Sequence, residues 1–146
     1  MKKNGFSLWL TDLPRLVLGF FILLNIIAML SYPGGTYIDH TTIGYSFTQN
    51  FLSDLGRTLS FSEEINFLSA QLFNMSLILA GMIFVSFYLH VRKAFSADNL
   101  RTLALIGSFF GMLGGFSLLG VGLTPADLYL DLHIICANWL FRFFFL

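Results

Sequence analysis

The chain has 146 residues, of which 56% are hydrophobic and 11% are charged, and its mean hydropathy is +0.77. Soluble domains carry about 25% charged residues, so this composition excludes an ordinary soluble domain and indicates an integral membrane protein. The formal net charge is zero, which gives no reason to expect a nucleic-acid partner. The single cysteine, Cys136, excludes an intrachain disulfide.

Four apolar runs predict an all-α polytopic bundle with membrane spans at about 14–31, 64–90, 101–123 and 130–146. The first run follows "TDLP", in which Pro14 suits a first helical turn, and no small-residue cleavage site is visible after it, so we interpret it as a retained helix. We treat residues 1–146 as one integral membrane domain. The last run ends in "FRFFFL" without the polar flank that normally closes a span, which predicts that the chain is a fragment of a larger bundle.

Basic residues predict the orientation. They precede the first span and separate the second span from the third, whereas the other two loops contain one arginine between them: Lys2, Lys3, Arg15, Arg92, Lys93 and Arg101, against Arg57. By the positive-inside rule, the N-terminus is cytoplasmic in a multi-pass protein of the cell (plasma or inner) membrane.

Residues 32–63 form a long loop on the predicted non-cytoplasmic side. Its content of Tyr, Phe, Ile and Leu favours structure over disorder, and "SFTQNFLSDLG" predicts a short helix ended by Gly56 in the left-handed conformation. The same topology places "FLSDLGRT" and "TPADLYLDLH" on one face of the membrane. We therefore expect their polar residues to converge.

Helix capping is the alternative explanation for several of these residues. "SFSE" at Ser60 to Glu63 predicts a capping box for the second span, and "TPAD" predicts Thr124 as the cap of the fourth, with Asp127 in its first turn. Asp54 and Arg57 also have a simple alternative, a surface ion pair across the Gly56 turn, which contributes only ~0–1 kcal/mol.

A polar stripe is predicted along the fourth helix if that helix runs unbroken from Pro125. The stripe should face the bundle interior or a wet cavity, with His133 on the opposite face, because exposure to lipid is costly. Its members are Asp127, Asp131, Asn138 and Arg142. With Asp54 and Arg57 they form the candidate ligand-binding set, and snorkelling towards the cytoplasmic surface is the alternative for Arg142.

The candidates for catalysis or metal binding are His40, Asp54, Asp127 and His133. Zinc sites combine histidine with carboxylates, so His40 and His133 are the histidines to consider. However, Asp131 and His133 lie about 200° apart on a helix, and the chain has neither HxxxH nor HExxH. We expect no metal and no cofactor.

Gly107, Gly111 and Gly115 make a small-residue ladder, which is typical of a face where another helix packs closely. The pattern does not determine whether that helix belongs to the same chain or to a partner, and it leaves the oligomeric state open.

Three segments, "YPGGTYIDHTTIGYSFTQNFLSDLGRT", "NFLSAQLFNMSLILAG" and "GLTPADLYLDLH", resemble the uncharacterised DUF998-type bacterial and archaeal membrane proteins and, more distantly, the Frag/DRAM/Sfk-type proteins. The matching positions are Ser53, Asp54, Leu55, Gly56, Asn66, Asn74, Gly122, Pro125, Asp127 and His133. The resemblance implies a membrane bundle of about six spans and carries no known activity.

Three functions are compatible with these features. The leading hypothesis is a non-enzymatic or functionally undefined membrane protein whose polar cluster binds a lipid headgroup or small ligand, or stabilises the loops on the non-cytoplasmic face. The second is a metal-dependent membrane hydrolase acting on a lipid or amide. The third is part of a transporter in which Asn25 and Arg142 line the path.

Overall fold

The computed structural model describes residues 7–95 and 98–145, and within them the chain forms four α-helices and no β-strand. Helix α1 spans Leu13–Ser31 after a π-helical turn at Leu8–Asp12, α2 spans Phe67–Val91, α3 spans Asp98–Leu123 and α4 spans Leu130–Phe145. The predicted all-α bundle is confirmed. Lys2, Lys3 and residue 146, which enter the predictions above, lie outside the described residues.

Three helical segments are long and apolar enough to cross a membrane: Leu8–Ser31, Phe67–Val91 and Leu100–Leu123. Helix α4 has 16 residues. At 1.5 Å per residue, it extends ~24 Å, which is less than the ~30 Å of a hydrocarbon core. Within the described residues, the chain is therefore a membrane helical bundle with three helices of spanning length, and α4 is described as far as Phe145.

The helices pack in the order α1–α2–α3–α4. Helices α2 and α3 approach closely because glycines face each other: a Cβ on Gly81 would lie 2.8 Å from the carbonyl oxygen of Gly115. A Cβ on Gly111 would collide with the ring of Tyr88, whereas nothing lies within 4 Å of one on Gly107. Gly111 and Gly115 of the predicted small-residue ladder therefore contact α2 of the same chain.

Buried polar side chains join the apolar helices. Asn25, which is 5% exposed, donates hydrogen bonds from its Nδ2 to the carbonyl oxygen of Phe21 at 2.7 Å and to Ser76 Oγ at 3.1 Å. The second bond links α1 to α2 through the apolar part of the bundle, where no water competes for it.

Two connections meet at one end of the bundle, and we call them the loop-end cap: residues 32–66 between α1 and α2, and residues 124–129 between α3 and α4. The cap contains a 3₁₀ helix at Leu52–Gly56 and two isolated antiparallel bridges, Gly34–Ile43 and Leu59–Ile65. Of the short helix predicted over "SFTQNFLSDLG", only Leu52–Gly56 is helical, as this 3₁₀ helix, whereas residues 47–49 form a turn.

The predicted capping box at Ser60 to Glu63 is wrong. The Ser60 backbone N–H donates to the carbonyl oxygen of Glu64 at 3.0 Å, and Glu63 has a φ of 64°. These residues form a tight turn beside the Leu59–Ile65 bridge, and α2 begins only at Phe67. The local sequence resembles a helix start because serine is favoured in turns as well as at helix N-termini.

Candidate functional site

Asn66, which precedes α2, and the first turn of α2 hold the end of the 3₁₀ helix in place. Asn66, which is 1% exposed, donates from Nδ2 to the carbonyl oxygens of Leu55 at 3.0 Å and Arg57 at 2.9 Å. The Ser69 hydroxyl donates to the Leu55 carbonyl oxygen at 3.1 Å. Because buried backbone carbonyls need partners, these side chains fix the path of the chain just before Arg57.

Gly56 lies against α2 and leaves no room for a side chain. A Cβ at this position would lie 2.5 Å from Asn74 Oδ1 and 2.6 Å from the Phe73 ring, and Asn74 Nδ2 donates to the Gly56 carbonyl oxygen at 3.1 Å. The prediction of a left-handed Gly56 is wrong, since Gly56 is not among the positive-φ glycines. Close packing against α2 is the reason for glycine here.

Asp127 connects the two parts of the cap. Its two carboxylate oxygens accept the backbone N–H of Thr58 at 3.0 and 2.9 Å, and one of them also accepts the Leu59 N–H at 3.0 Å and the Thr58 hydroxyl. The predicted convergence of "FLSDLGRT" with "TPADLYLDLH" is confirmed.

Asp127 does not cap its own helix. Residues 126–128 form a turn before α4, and the Thr124 hydroxyl donates back to the carbonyl oxygen of Gly120 at 2.7 Å. The predicted cap at Thr124 is therefore wrong. Burial raises the pKa of Asp127, but the hydrogen bonds from Thr58 and Leu59 outweigh it and leave the pKa below its ordinary value. An ionised carboxylate that accepts hydrogen bonds from several donors can hold the two connections of the cap together.

Asp54 anchors the other side of the cap and is 5% exposed. Its Oδ2 accepts the Phe51 backbone N–H at 2.8 Å and Asn50 Nδ2 at 3.1 Å. Asn50 also donates to the carbonyl oxygen of Gly35 at 3.0 Å, which ties the 3₁₀ helix to the first turn of the loop. Burial raises the pKa of Asp54 above its ordinary value, although these hydrogen bonds and the nearby charge of Arg57 oppose the shift.

Arg57 does not pair directly with Asp54. Its Nε donates to the carbonyl oxygen of Leu59 at 3.2 Å, and its Cζ lies 4.1 Å from the centre of the Phe61 ring. Among the described residues, the two terminal NH₂ groups of the guanidinium have no hydrogen-bond partner. The contact with Phe61 therefore orients the guanidinium while its donor edge stays free.

Two further side chains surround the Phe61 ring. The Tyr37 and His40 rings lie 6.1 and 6.0 Å from it, centre to centre, and both residues are exposed. We call Tyr37, His40, Arg57 and Phe61 the Phe61 cluster. It brings one guanidinium, one imidazole and one phenol to a single ring at the surface of the cap, where Tyr37 and His40 are exposed and Arg57 and Phe61 are half-buried.

The two histidines considered for metal binding lie in different settings. His133 is 7% exposed, and its Nδ1 lies 2.6 Å from the carbonyl oxygen of Thr124, so Nδ1 carries the proton that it donates. His40 packs on Phe61. Within the described part of the chain, no group of three His, Cys, Asp or Glu side chains is placed to hold one ion.

The polar stripe of α4 faces away from the described bundle. Asp131, Asn138 and Arg142 are exposed, whereas His133 is buried. The expectation that the stripe faces the bundle interior is therefore wrong for the described residues. Asp127 is not on the stripe, because α4 begins at Leu130.

Several residues of the site were missed in the sequence. Asn50, Thr58, Phe61 and Ser69 carry contacts of the cap. The sequence contained one signal for the contact of Asn50: it precedes Asp54 by four residues, a spacing at which two side chains of a helical turn can meet. Thr58 had no local signal, because its partner lies 69 positions away.

Comparison with protein-family models, with curated proteins and with solved structures finds no match to this chain. The fold and the site define the class of protein: a membrane helical bundle closed at one end by a hydrogen-bonded loop cap.

Proposed function

We propose that this protein is a non-enzymatic, multi-pass membrane protein whose loop-end cap binds the phosphate of a phospholipid headgroup through Arg57. One observation carries the proposal: the guanidinium is fixed by Phe61 and by the Leu59 carbonyl oxygen, yet its terminal NH₂ groups are unpaired among the described residues. The carboxylates of Asp54 and Asp127 receive their hydrogen bonds from other donors. A planar guanidinium with two free NH₂ groups matches a phosphate well.

The position of Arg57 beside the start of α2 supports this proposal. Its carbonyl oxygen is hydrogen-bonded to Asn66, the residue before α2. Helix α2 has 25 residues, which corresponds to ~38 Å and exceeds the ~30 Å hydrocarbon core, so its ends reach the headgroup region. Because Arg57 is hydrogen-bonded to the residue that precedes this end, we expect it to lie among the headgroups.

The orientation follows from basic residues at the other end of the bundle. Arg15 lies near the start of α1, while Lys93 and Arg101 flank the connection between α2 and α3. The positive-inside rule makes that end cytoplasmic. The cap then faces outward from the cell (plasma or inner) membrane.

The charge of the cap favours a zwitterionic headgroup. One arginine, Arg57, stands against six acids in the cap and the first turn of α4: Asp39, Asp54, Glu63, Glu64, Asp127 and Asp131. This negative field repels lipids with net negative charge and attracts an ammonium group. Phosphatidylethanolamine supplies the phosphate for Arg57 and an ammonium for the surrounding acids.

Exposed apolar side chains of the cap agree with a place at the membrane surface. Ile38, Ile43, Phe47 and Phe51 are between 71% and 96% exposed. Such side chains are unfavourable in water and favourable among headgroups and the upper acyl chains.

A binding comparison tests the proposal. Purified protein in detergent is titrated with fluorescent phosphatidylethanolamine, with phosphatidylglycerol, and with diacylglycerol of the same acyl chains, which lacks the phosphate. We expect phosphatidylethanolamine to bind about tenfold more tightly than diacylglycerol, as for one charge-assisted pair of hydrogen bonds. We expect Arg57→Gln to remove this preference.

Arg101→Gln is the matched control, because it makes the same substitution at an exposed arginine at the other end of the bundle. It should keep the preference. A preference that survives Arg57→Gln unchanged would contradict the proposed site, and equal binding of phosphatidylglycerol would contradict only the zwitterionic part.

A further inference from the structure

Asp54 has one carboxylate oxygen without a hydrogen-bond donor. Its side chain is 5% exposed, and both of its hydrogen bonds, from the Phe51 backbone N–H and from Asn50 Nδ2, go to Oδ2. Oδ1 accepts no hydrogen bond from the part of the chain that the structure describes, and it is not one of the fully enclosed polar atoms that lack a partner. A donor that reaches Oδ1 from outside the cap would therefore stabilise this buried carboxylate.

Aromatic rings border the carboxylate. Burial raises the pKa of the Tyr32 and Tyr45 phenols, and the charge of Asp54 raises both further, because the carboxylate lies near the two side chains. Tyr45 packs at right angles against Tyr32 at 6.0 Å and against Phe47 at 5.4 Å between ring centres. Phe47 is 79% exposed, whereas Tyr32 is 3% exposed, so these rings run from the inside of the cap to its surface. Such rings favour a cation beside the carboxylate.

Arg57 lies near Asp54 without forming an ion pair with it. Burial raises the pKa of Asp54, and the charge of Arg57 is among the influences that oppose this shift. Among the described residues, however, no hydrogen bond joins the two side chains: the terminal NH₂ groups of Arg57 and Oδ1 of Asp54 all remain free. The 3₁₀ helix and the residue after it therefore offer a cationic donor and an anionic acceptor to one ligand, an arrangement complementary to a zwitterion.

We infer that Asp54 binds the ammonium of the lipid headgroup through Oδ1, and that the site therefore selects a primary ammonium over a quaternary one. This inference rests on the proposed binding of the lipid phosphate by Arg57. A primary ammonium donates N–H hydrogen bonds to a carboxylate oxygen, whereas a trimethylammonium has no N–H to donate. Phosphatidylethanolamine thus satisfies both Arg57 and Asp54, and phosphatidylcholine satisfies only Arg57.

Two other acids of the cap are less suited to this role. Both carboxylate oxygens of Asp127 already accept hydrogen bonds from the backbone of the first connection. Asp39 is exposed, and its Oδ1 accepts the backbone N–H and the hydroxyl of Thr41. Because an exposed carboxylate interacts weakly with a cation in water, Asp39 contributes less to the choice of headgroup.

Headgroups that differ only in N-methylation test the inference. The purified full chain in detergent is titrated with fluorescent phosphatidylethanolamine, its N,N-dimethyl derivative, phosphatidylcholine and diacylglycerol, all with the same acyl chains. We expect phosphatidylethanolamine to bind about threefold more tightly than phosphatidylcholine, as for one net hydrogen bond, which forms part of the tenfold difference from diacylglycerol. The dimethyl derivative, which keeps one N–H, should bind more tightly than phosphatidylcholine.

Asp54→Asn tests the residue itself. Its amide oxygen can still accept the hydrogen bonds that Oδ2 receives, while an NH₂ group replaces Oδ1 and cannot accept from an ammonium. We expect the preference for phosphatidylethanolamine over phosphatidylcholine to disappear, while phosphatidylcholine still binds more tightly than diacylglycerol. Asp39→Asn is the matched control, because it removes one negative charge from the cap at an exposed position and should keep the preference.

Equal binding of phosphatidylethanolamine and phosphatidylcholine to the unchanged protein would overturn the inference without any variant. A preference that survives Asp54→Asn, or one that Asp39→Asn also removes, would overturn it as well. These results are distinguishable from a failure of the phosphate site, in which phosphatidylcholine would bind no more tightly than diacylglycerol.

Discussion

Asp127 accepts the backbone N–H of Thr58, 69 residues earlier in the chain, at 3.0 and 2.9 Å from its two carboxylate oxygens. This contact joins the connection between α3 and α4 to the connection between α1 and α2. Together with the Asn66 bonds to Leu55 and Arg57, it fixes the backbone on both sides of Arg57. The clamp around Arg57 thus involves three separate parts of the sequence.

Asp127→Asn should destabilise the protein by about 1–3 kcal/mol, because the amide replaces one acceptor oxygen with a donor that faces the N–H groups of Thr58 and Leu59. Denaturant unfolding in micelles, followed by circular dichroism, measures the change. Asp131→Asn is the control, since Asp131 is exposed and its substitution should shift stability by no more than about 0.5 kcal/mol. Equal effects of the two substitutions would show that the clamp does not contribute.

The same carboxylate predicts a pH dependence. The folded pKa of Asp127 lies below its unfolded value, so its contribution is present above the unfolded pKa, about 3.9, and is lost as the pH falls through the lower folded value. The stability difference between the unchanged protein and Asp127→Asn should therefore shrink from about pH 5 downwards. Denaturant unfolding of both proteins across this pH range measures the difference. A difference in stability that stays constant would show that the Asp127 carboxylate does not stabilise the fold in its ionised form.

Gly81→Ala should destabilise the bundle by about 1–3 kcal/mol, because the new Cβ would lie 2.8 Å from the carbonyl oxygen of Gly115 and force α2 from α3. Gly107→Ala is the matched control: nothing lies within 4 Å of its Cβ, and alanine stabilises a helix relative to glycine by about 0.5–1 kcal/mol. Thermal unfolding in one detergent should move in opposite directions for the two variants. A loss of stability at Gly107 equal to that at Gly81 would argue against backbone contact between these helices.

Accessibility of single cysteines tests the orientation. In a Cys136→Ser background, Gln49→Cys places a thiol at an exposed polar position of the cap, and Lys93→Cys places one at the other end of the bundle. A membrane-impermeant maleimide should label residue 49 in intact cells and residue 93 only after the membrane is opened. The reverse pattern would invert the topology and remove the outward-facing headgroup site.

The helices could be predicted because their signal is local. Long runs without charges, such as Phe67 to Leu89, have one stable solution in a membrane, in which every backbone group is bonded within the helix. The topology then brought Asp54 and Asp127 to one end of the bundle, which required no knowledge of side-chain contacts. The presence of Asp54 and Asp127 in the same cap could therefore be predicted from the number of membrane spans between them.

The contacts within the cap could not be predicted, because their partners are distant in sequence. Asp127 has the local features of a helix start, yet it binds Thr58 and Leu59 across the cap. Gly56 has the local sequence features of a glycine that ends a helix in the left-handed conformation. Its close packing against Phe73 and Asn74 is instead the reason why glycine occupies this position. Short polar side chains serve caps, turns and long-range bonds equally well, and only the tertiary fold selects among them.

The direction of the α4 stripe was mispredicted for a different reason. Periodicity correctly places His133 opposite Asn138 and Arg142, but it cannot tell which of two faces packs on a neighbour. The buried face is the one with Cys136 against Gly120, where small residues allow close approach. The polar face then points away from the described bundle.

The most direct measurement of the central claim is the distance between Arg57 and a lipid phosphorus atom. Solid-state NMR of protein with ¹³C-labelled arginine, in phosphatidylethanolamine bilayers, detects dephasing of the guanidinium Cζ by ³¹P. The signal of the Arg57 Cζ is identified by its absence from the spectrum of Arg57→Gln. We expect the dephasing of this signal to give a carbon–phosphorus distance of about 4 Å, as in a bidentate contact. The absence of ³¹P dephasing from that signal, with Arg15 or Arg101 dephased instead, would contradict the headgroup site.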